Sequence, residues 1–258
     1  MNSAPIRALV TRGMLAGLVA GLLASGFAYL TGESSMNAAI AYEAARSADP
    51  GMKSVSRALQ ATAGLATGLL VFGVATGGIA ALAFCFALGR IGRFGPRATA
   101  ALIAAAAFVI VYLVPFLKYP ANPPATSDPS TLNQRTTLYF LMIALSVLLF
   151  VGSVVLGRRL APRLGNWNAS LAAGVAFVVT VTLVAAFMPA VSETPKDFPA
   201  TVMWQFRVAA IGIQAVLWAA FGLLFGYLAE RVLAPRTTLT AGSGSSAHAS
   251  VVTRASCL

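Results

Sequence analysis

The chain is poor in charged residues and in the residues that bind metals or form disulfides. Only 10% of its 258 residues are charged, one is histidine and two are cysteine. An ordinary soluble domain carries about 25% charged residues, so this composition excludes a solvated globule, a disordered chain and a DNA-binding domain. The net charge of +11 does not indicate nucleic-acid binding, because the basic residues form short clusters between long uncharged runs. Two cysteines make no disulfide framework.

Apolar residues dominate instead. They make up 58% of the chain, and the mean hydropathy is +0.81. A helix needs about 20 apolar residues to cross the hydrocarbon of a bilayer. The stretches without Asp, Glu, Lys or Arg therefore predict an all-α, polytopic transmembrane helical bundle of six spans. The predicted spans lie near 13–32, 64–88, 98–117, 136–157, 168–190 and 208–229.

The two ends of the chain need separate interpretation. Span one has the basic flank of a signal peptide, but its apolar run from Met14 to Leu30 is long for a signal core, which favours a retained helix. Residues 1–236 then form the transmembrane domain. Residues 237–258 are small and polar, contain His248, and are predicted to be a flexible cytoplasmic tail.

The positive-inside rule orients the bundle. With the N-terminus in the cytoplasm, the inner segments receive most of the basic residues, and both termini are predicted to be cytoplasmic. Of the seven acidic residues, only Glu230 then falls inside. The inner basic residues are Arg7, Arg12, Arg90, Arg93, Arg97, Arg158, Arg159, Arg163, Arg231, Arg236 and Arg254.

Glycines recur at a spacing of four within several spans, which is typical of helices in close contact in a membrane. The pairs and triplets are Gly13, Gly17 and Gly21, then Gly64 and Gly68, Gly73 and Gly77, and Gly222 and Gly226. Similar basic strings, SRALQ, NQRTT and WQFRV, precede alternate spans, and LAPR occurs twice. These strings are typical of three related helical hairpins, each running out and back, or they are alike by chance, as short basic ends of apolar helices often are.

Polar residues concentrate at the outer boundary of the predicted bundle. The third span ends in VPFLKYPANPP, where three prolines forbid a regular helix. This segment is either a helix stop, with Tyr119 as an interfacial anchor and Lys118 snorkelling, or a functional motif in which Asn122 binds a neighbouring loop. Arg207 is expected either to hold the loop carrying Glu193 and Asp197 or to bind lipid phosphate.

Chemistry-bearing groups are sparse in this sequence. It contains no catalytic triad, no histidine-rich metal motif and no phosphate-binding loop. No charged residue lies in a span core, which argues against a proton-coupled pump. Four outer carboxylates could form an acidic vestibule that collects cations and makes the first contact with a metal ion. They are Glu33, Glu43, Glu193 and Asp197.

Several motifs resemble the CbtA family of predicted cobalt transporter subunits. The most specific are YPANPP, within FLKYPANPPATSDPSTLNQRTTLYFL (116–141), and FPATVMWQFR, within DFPATVMWQFRVAAIGIQAVLW (197–218). RGMLAGLVAGLLASGFAYLTGE (12–33) and RLGNWNASLA (163–172) also match, so the resemblance covers roughly 5–235. The resemblance implies that ten residues of these motifs are functional. They are Lys118, Tyr119, Pro120, Asn122, Pro123, Pro124, Arg135, Trp204, Gln205 and Arg207.

The resemblance implies a multi-pass protein of the cell inner membrane that takes part in Co²⁺ uptake for cobalamin synthesis. It also implies a small single-span partner, CbtB, with a histidine-rich metal site. Co²⁺ would be the substrate, and no permanently bound cofactor is expected. Members of this family are usually described with five spans, against the six counted above. A homo-oligomer is left open.

Two other functions compete with a transporter subunit. The first is a non-transporting scaffold or assembly partner for a metal-capturing membrane protein, which the lack of intramembrane charge favours. The second is a membrane enzyme acting on lipid or quinone, for which Glu193 and Lys196 are the nearest acid–base pair. An ATP-driven motor within the chain is excluded, since it has no phosphate loop.

The orientation is testable with reporter fusions. Fusions after Arg93, Arg163 and Arg236 should report a cytoplasmic location, and fusions near Asp49, Asp128 and Asp197 an external one. The reason is the excess of basic residues in the short inner connections. An external signal at Arg163 would contradict both the six-span topology and the acidic outer face.

Overall fold

The fold is an all-α polytopic bundle. A computed structural model describes residues 3–46, 60–123, 126, 129–191 and 194–234; within these ranges it contains helices and no strand. Helix α1 spans Ser3–Arg46, and a π-helical turn, Gln60–Gly64, leads into α2, Leu65–Ala87. Helix α3, Pro96–Ala107, continues through the π-helical segment Phe108–Leu113 into α4, Val114–Lys118. A short 3₁₀ turn, Pro129–Thr131, precedes α5, Leu132–Phe187, and α6 is Ala200–Leu233. The predicted tail, 237–258, lies outside the described residues.

Among the described residues, five continuous helices are long and apolar enough to cross a membrane. The unit formed by α3, the π segment and α4 counts as one of them and is called the third helix below (Pro96–Lys118). The chain turns between α2 and this helix at Gly89 and Gly92, which both have a positive φ. Glycine adopts this conformation readily, and a regular helix cannot continue through it. Pro96 then occupies the first turn of α3, where a missing N–H costs nothing.

Helix α5 reverses direction at Gly165. This residue has φ 75° and ψ 161°, a conformation that glycine adopts far more readily than other residues. A Cβ on Gly157 would lie 3.1 Å from the Cβ of Ala173, and the rings of Phe150 and Phe177 are 5.8 Å apart. In a straight helix, positions 157 and 173 would be about 24 Å apart. The two arms, 132–164 and 166–187, therefore lie side by side as an antiparallel hairpin.

This hairpin bears on the span count. Counted as continuous helices, the described residues contain five apolar segments; counted with the two arms of α5 separate, they contain six, in the predicted order. The arms coincide with predicted spans 136–157 and 168–190, except that the second ends at Phe187 rather than 190. The expected hairpin repeat stays a prediction.

Helix α1 extends further than the sequence predicted. It has 44 residues and reaches Arg46, whereas residues 33–46 were expected to be an outer loop. At about 1.5 Å per residue, it is roughly twice as long as the hydrocarbon is thick. The expectation was wrong because Glu33 marks the end of an apolar run, whereas a charged side chain does not end a helix. The extension projects beyond the apolar span and packs against the start of α6 through Ala39 and Met203.

Helix α1 lies between α2 and α6. On one side its glycines face those of α2: a Cβ on Gly21 would lie 2.6 Å from the carbonyl oxygen of Leu69, and one on Gly17 would overlap the carbonyl oxygen of Gly73. On the other side Arg12 donates to the Leu228 carbonyl at 3.0 Å. Glycine at these positions is therefore required for backbone contact, as the spacing of four predicted.

Helix α6 in turn packs against the third helix, while α5 is peripheral. Gly222 faces Ala104, and Gly226 faces Arg97. Helix α5 attaches to the outer half of the third helix, where Ser146 donates to the Ile110 carbonyl. Only 11% of its most apolar stretch is buried in the chain, so the hairpin exposes most of its apolar surface.

The α1–α2 contact is testable with a matched pair of glycines. Gly17→Leu should lower the yield of folded protein and its melting temperature, because overpacking a close contact costs about 1–3 kcal/mol. Gly26→Leu should change neither, since a Cβ there meets open space. The measurement is thermal unfolding of purified protein followed by size-exclusion chromatography. Equal loss in both variants would contradict this packing.

The hairpin in α5 is testable by cross-linking. In a chain with Cys85→Ser and Cys257→Ser, the pair Gly157→Cys and Ala173→Cys should form a disulfide under mild oxidation, because these positions are in contact. The control pair Gly152→Cys and Ala173→Cys should not, since Gly152 faces open space. Mass spectrometry of the joined peptides gives the result. An unbroken helix would cross-link neither pair.

Candidate functional site at the outer face

The proline turn is held in place by its tyrosine. Tyr119 follows the third helix, is buried, and donates its hydroxyl to the Pro189 carbonyl at 2.8 Å. Burial raises the pKa of its phenol, which keeps the hydroxyl a neutral donor. Thr126 donates to the Pro123 carbonyl at 2.7 Å. The turn is therefore joined both to itself and to the end of α5; Pro124 lies outside the described residues.

Arg207 joins α6 to the same turn. Its Nη2 donates to Asn122 Oδ1 at 3.0 Å, and its Nε lies 3.4 Å from the Ala121 carbonyl oxygen. All three residues are half-buried. Two residues that the sequence singled out in separate motifs are thus in direct contact, 85 positions apart in the chain. Among the described residues, the hydrogen-bond partners of Arg207 are neutral oxygens of the proline turn. Its expected hold on the loop that carries Glu193 and Asp197 stays a prediction, since Glu193 lies outside the described residues.

Asp197 has a different partner. The Tyr42 hydroxyl donates to Asp197 Oδ1 at 3.1 Å, and the Tyr42 and Phe198 rings meet edge to face at 4.9 Å. Buried Ala39, Phe198 and Met203 form a small core beneath these contacts. The outer end of α1 is therefore attached to the loop before α6 by the Tyr42–Asp197 hydrogen bond and by an aromatic contact.

The described residues do not bring all the predicted outer carboxylates together. Glu33 and Glu43 lie on α1 about 15 Å apart along the helix axis, too far to share an ion. Within the part of the chain that the structure describes, no group of three or more His, Cys, Asp or Glu side chains could hold a metal ion. Glu193 lies outside the described residues, so the role of the four carboxylates as metal contacts stays a prediction.

A shallow cavity of about 390 Å³ opens beside this region. It is lined by Thr194, Pro195, Lys196, Phe198, Ala200, Met203, Trp204 and Arg207. Its charged lining residues are cationic, so this cavity differs in sign from the acidic vestibule that the sequence predicted. Trp204 is 70% exposed, which suits an aromatic side chain at membrane-interface depth.

The remaining motif residues surround this centre. Lys118 Nζ lies 5.9 Å from the centre of the Tyr119 ring, as a snorkelling lysine would. Pro120 and Arg135 are half-buried, and Gln205 is exposed on α6. The outer face therefore brings the 116–123 segment and the start of α6 together, with Arg207 and Asn122 as their direct link.

The interior of the bundle also contains polar groups. The buried atoms Tyr112 Oη, Gln214 Oε1 and Trp218 Nε1 have no hydrogen-bond partner among the described residues. At the inner end, Arg97 pairs with Glu230 at 2.5 Å. One sequence signal could have found this face of α6: Gln214, Trp218, Gly222, Gly226 and Glu230 recur every four residues.

These features define a polytopic α-helical membrane protein whose outer ends are joined by polar side chains. The sequence model of the CbtA family, described as a probable cobalt transporter subunit, matches residues 6–230. The chain therefore belongs to the CbtA family. Comparison with curated proteins gives no match, and comparison with solved structures gives none either. The family description is that of a transporter subunit, which is a non-enzymatic role.

The link between α6 and the proline turn is testable by a double-mutant cycle. Arg207→Ala and Asn122→Ala should each lower the free energy of unfolding by about 1.5–3 kcal/mol, because a hydrogen bond to a charged group is lost. The double variant should lose much less than the sum of the two single losses. Gln205→Ala, on the exposed side of the same turn of α6, is the control and should be neutral. Additive losses would contradict a direct contact.

Proposed function

We propose that this protein is the integral membrane subunit of a cobalt uptake transporter in the cell inner membrane, linked to cobalamin synthesis. The observation that supports the proposal most is the family match over nearly the whole apolar bundle. Co²⁺ is the substrate in this proposal and not a resident cofactor. The small single-span partner expected from the family, CbtB, would supply the histidines that this chain lacks in its bundle.

The outer face supports a role in receiving a cation at low affinity. Glu33, Glu43 and Asp197 are all at the outer end in the predicted orientation. Glu193 precedes Asp197 by four residues in the sequence. Dispersed carboxylates raise the local concentration of a cation without trapping it. Strong capture needs several ligands around one ion, and imidazole and carboxylate are suitable donors for Co²⁺. A separate metal-capturing partner fits this division of labour.

The contact between Arg207 and Asn122 would set the shape of the entrance. It holds the proline turn against α6 at the membrane boundary. In this proposal the motif residues Lys118, Tyr119 and Trp204 position that assembly at the interface, and none of them contacts the metal. The motif therefore acts on the geometry of the entrance, while the carboxylates act on the cation.

The second candidate function is a scaffold that transports nothing by itself. It is favoured by two observations within the described ranges: no metal-binding cluster is present, and the α5 hairpin buries little of its apolar surface within the chain. That surface could contact lipid, a partner helix or a second copy of the chain. A scaffold would hold the metal-capturing partner in place by helix contacts.

Cobalt uptake separates the two functions. Cells lacking the gene should accumulate less radioactive cobalt under cobalt limitation than complemented cells, and should make less cobalamin. Proteoliposomes should then be loaded with the chain alone, the partner alone, or both. Transport by the chain alone supports the first function. Transport only by the pair, together with binding of cobalt by the partner alone, supports the scaffold, and equal uptake by all cells would overturn both.

The outer carboxylates have a direct test within that assay. Asp197→Asn and Glu43→Gln should raise the cobalt concentration for half-maximal uptake, and added salt should have the same effect by screening. Gln205→Ala serves as the control for a neutral change on the same face. Unchanged concentration dependence in both variants would remove these carboxylates from the proposed route.

A further inference from the structure

Polar or small residues follow one another along α6 over the length of the bundle. These residues are Arg207, Gln214, Trp218, Gly222, Gly226 and Glu230. Because their separations are seven or four, each lies within about 40° of the next around the helix, and together they form a stripe that winds slowly about the helix axis. The stripe faces the third helix, because a Cβ on Gly222 or Gly226 would meet Ala104 or Arg97, respectively.

The same contacts fix which residues lie at equal depth. The third helix and α6 are antiparallel, with Arg97 opposite Glu230 and Ala104 opposite Gly222. At the outer end, Asn122 and Ala121 lie against Arg207. Continuing this register from either end places Tyr112 at the depth of Gln214, about a third of the way from the outer end of the seam to the inner end.

The outer half of this seam contains the polar atoms without partners. Tyr112 Oη, Gln214 Oε1 and Trp218 Nε1 are all buried and lack hydrogen bonds within the described part of the chain. Trp218 is only 5% exposed. Inside a membrane each such group costs several kcal/mol if nothing satisfies it. Three of them within about one helical turn of one another in depth therefore indicate a polar ligand.

The backbone is also irregular at this level. Residues Phe108–Leu113 form a π-helical segment, a form that is often found at functional sites. Ser146 of α5 donates to the Ile110 carbonyl within it. Tyr112 thus lies on a widened turn, which is held in place by a side chain of the neighbouring hairpin.

Charged contacts close both ends of the seam and leave its middle neutral. The inner end has the Arg97–Glu230 ion pair, and the outer end has the Arg207–Asn122 hydrogen bond. Between them the polar atoms comprise one N–H donor, one amide oxygen and one hydroxyl that can do both. This combination matches water, since a buried water typically makes about three hydrogen bonds.

We propose that Tyr112, Gln214 and Trp218 form a hydrated site within the outer half of the bundle, on the route of the transported cation. The cation route rests on the proposed transport function. The hydration of the site does not depend on that function. The Gln214 and Tyr112 oxygens would accept hydrogen bonds from water in the first shell of a divalent cation. Because the site has no carboxylate, it would pass the hydrated ion on rather than hold it.

Hydration is tested by cysteine accessibility in the full chain with Cys85→Ser and Cys257→Ser. Gln214→Cys should react with a water-soluble methanethiosulfonate reagent at least about tenfold faster than two controls, because the thiolate forms only where water is present. The controls are Leu223→Cys, 73% exposed on the outside of the bundle, and Phe225→Cys, fully buried in the core. Reaction at Gln214→Cys as slow as at Phe225→Cys would overturn the proposal, whether or not the protein transports cobalt.

A second measurement covers the case in which the cysteine variant folds poorly. Gln214→Met should reduce cobalt uptake about tenfold or more without raising the melting temperature, because Tyr112 and Trp218 lose part of their water-mediated bonding. Leu217→Met, a buried volume-conserving change on the same helix, should leave both unchanged. If Gln214→Met stabilises the protein and uptake stays at the wild-type level, the three polar groups form a dry cluster and the proposal is wrong. If wild-type protein moves no cobalt, the proposed function fails, while the accessibility result still decides whether the site is hydrated.

Discussion

The backbone contact between α1 and α2 is the constraint on which the rest of the bundle depends. Lipid gives two apolar helices no hydrophobic reason to associate, so close packing has to replace that force. Gly17 and Gly73 allow it, because each would overlap the other helix if it carried a Cβ. Once α1 is held against α2, its opposite face meets α6 from Arg12 near the inner end to Tyr42 beyond the outer end. Helix α6 then positions the third helix.

This order of packing explains why polar contacts appear mainly at the ends of the helices. At the membrane boundary, polar side chains stay partly solvated, so their contacts cost little desolvation. Examples are Arg207 with Asn122 and Tyr119 with Pro189, and these hydrogen bonds are directional. They align helices whose apolar faces alone would not select a register. The neutral middle of the third helix and α6 is the exception, and its unsatisfied polar atoms are therefore more informative than a similar number at the surface.

The same arrangement bears on how a cobalt transporter subunit could work when the described part of the chain forms no metal-binding cluster. Dispersed outer carboxylates, a rigid entrance and a neutral seam would favour passage of a weakly held hydrated ion. Tight capture would then belong to a partner. The large exposed apolar surface of the α5 hairpin leaves room for such a partner on the side of the bundle that faces away from α1.

Much of this protein could be predicted from its sequence, because the relevant signals are local. Apolar length predicted the helical segments, proline predicted the end of the third helix, and glycine spacing predicted the face where α1 meets α2. The family followed from short motifs such as YPANPP. The extension of α1 to Arg46 was missed because a charge ends an apolar run without ending a helix.

Tertiary structure alone decided which distant groups meet. No local pattern pairs Arg207 with Asn122 or Asp197 with Tyr42, since these contacts depend on the register of antiparallel helices. The depth match of Tyr112 and Gln214 likewise follows from glycine contacts several turns away. The physical reason is that hydropathy reports how each segment meets lipid, whereas partner choice between helices depends on shape and on the few polar atoms that must be satisfied.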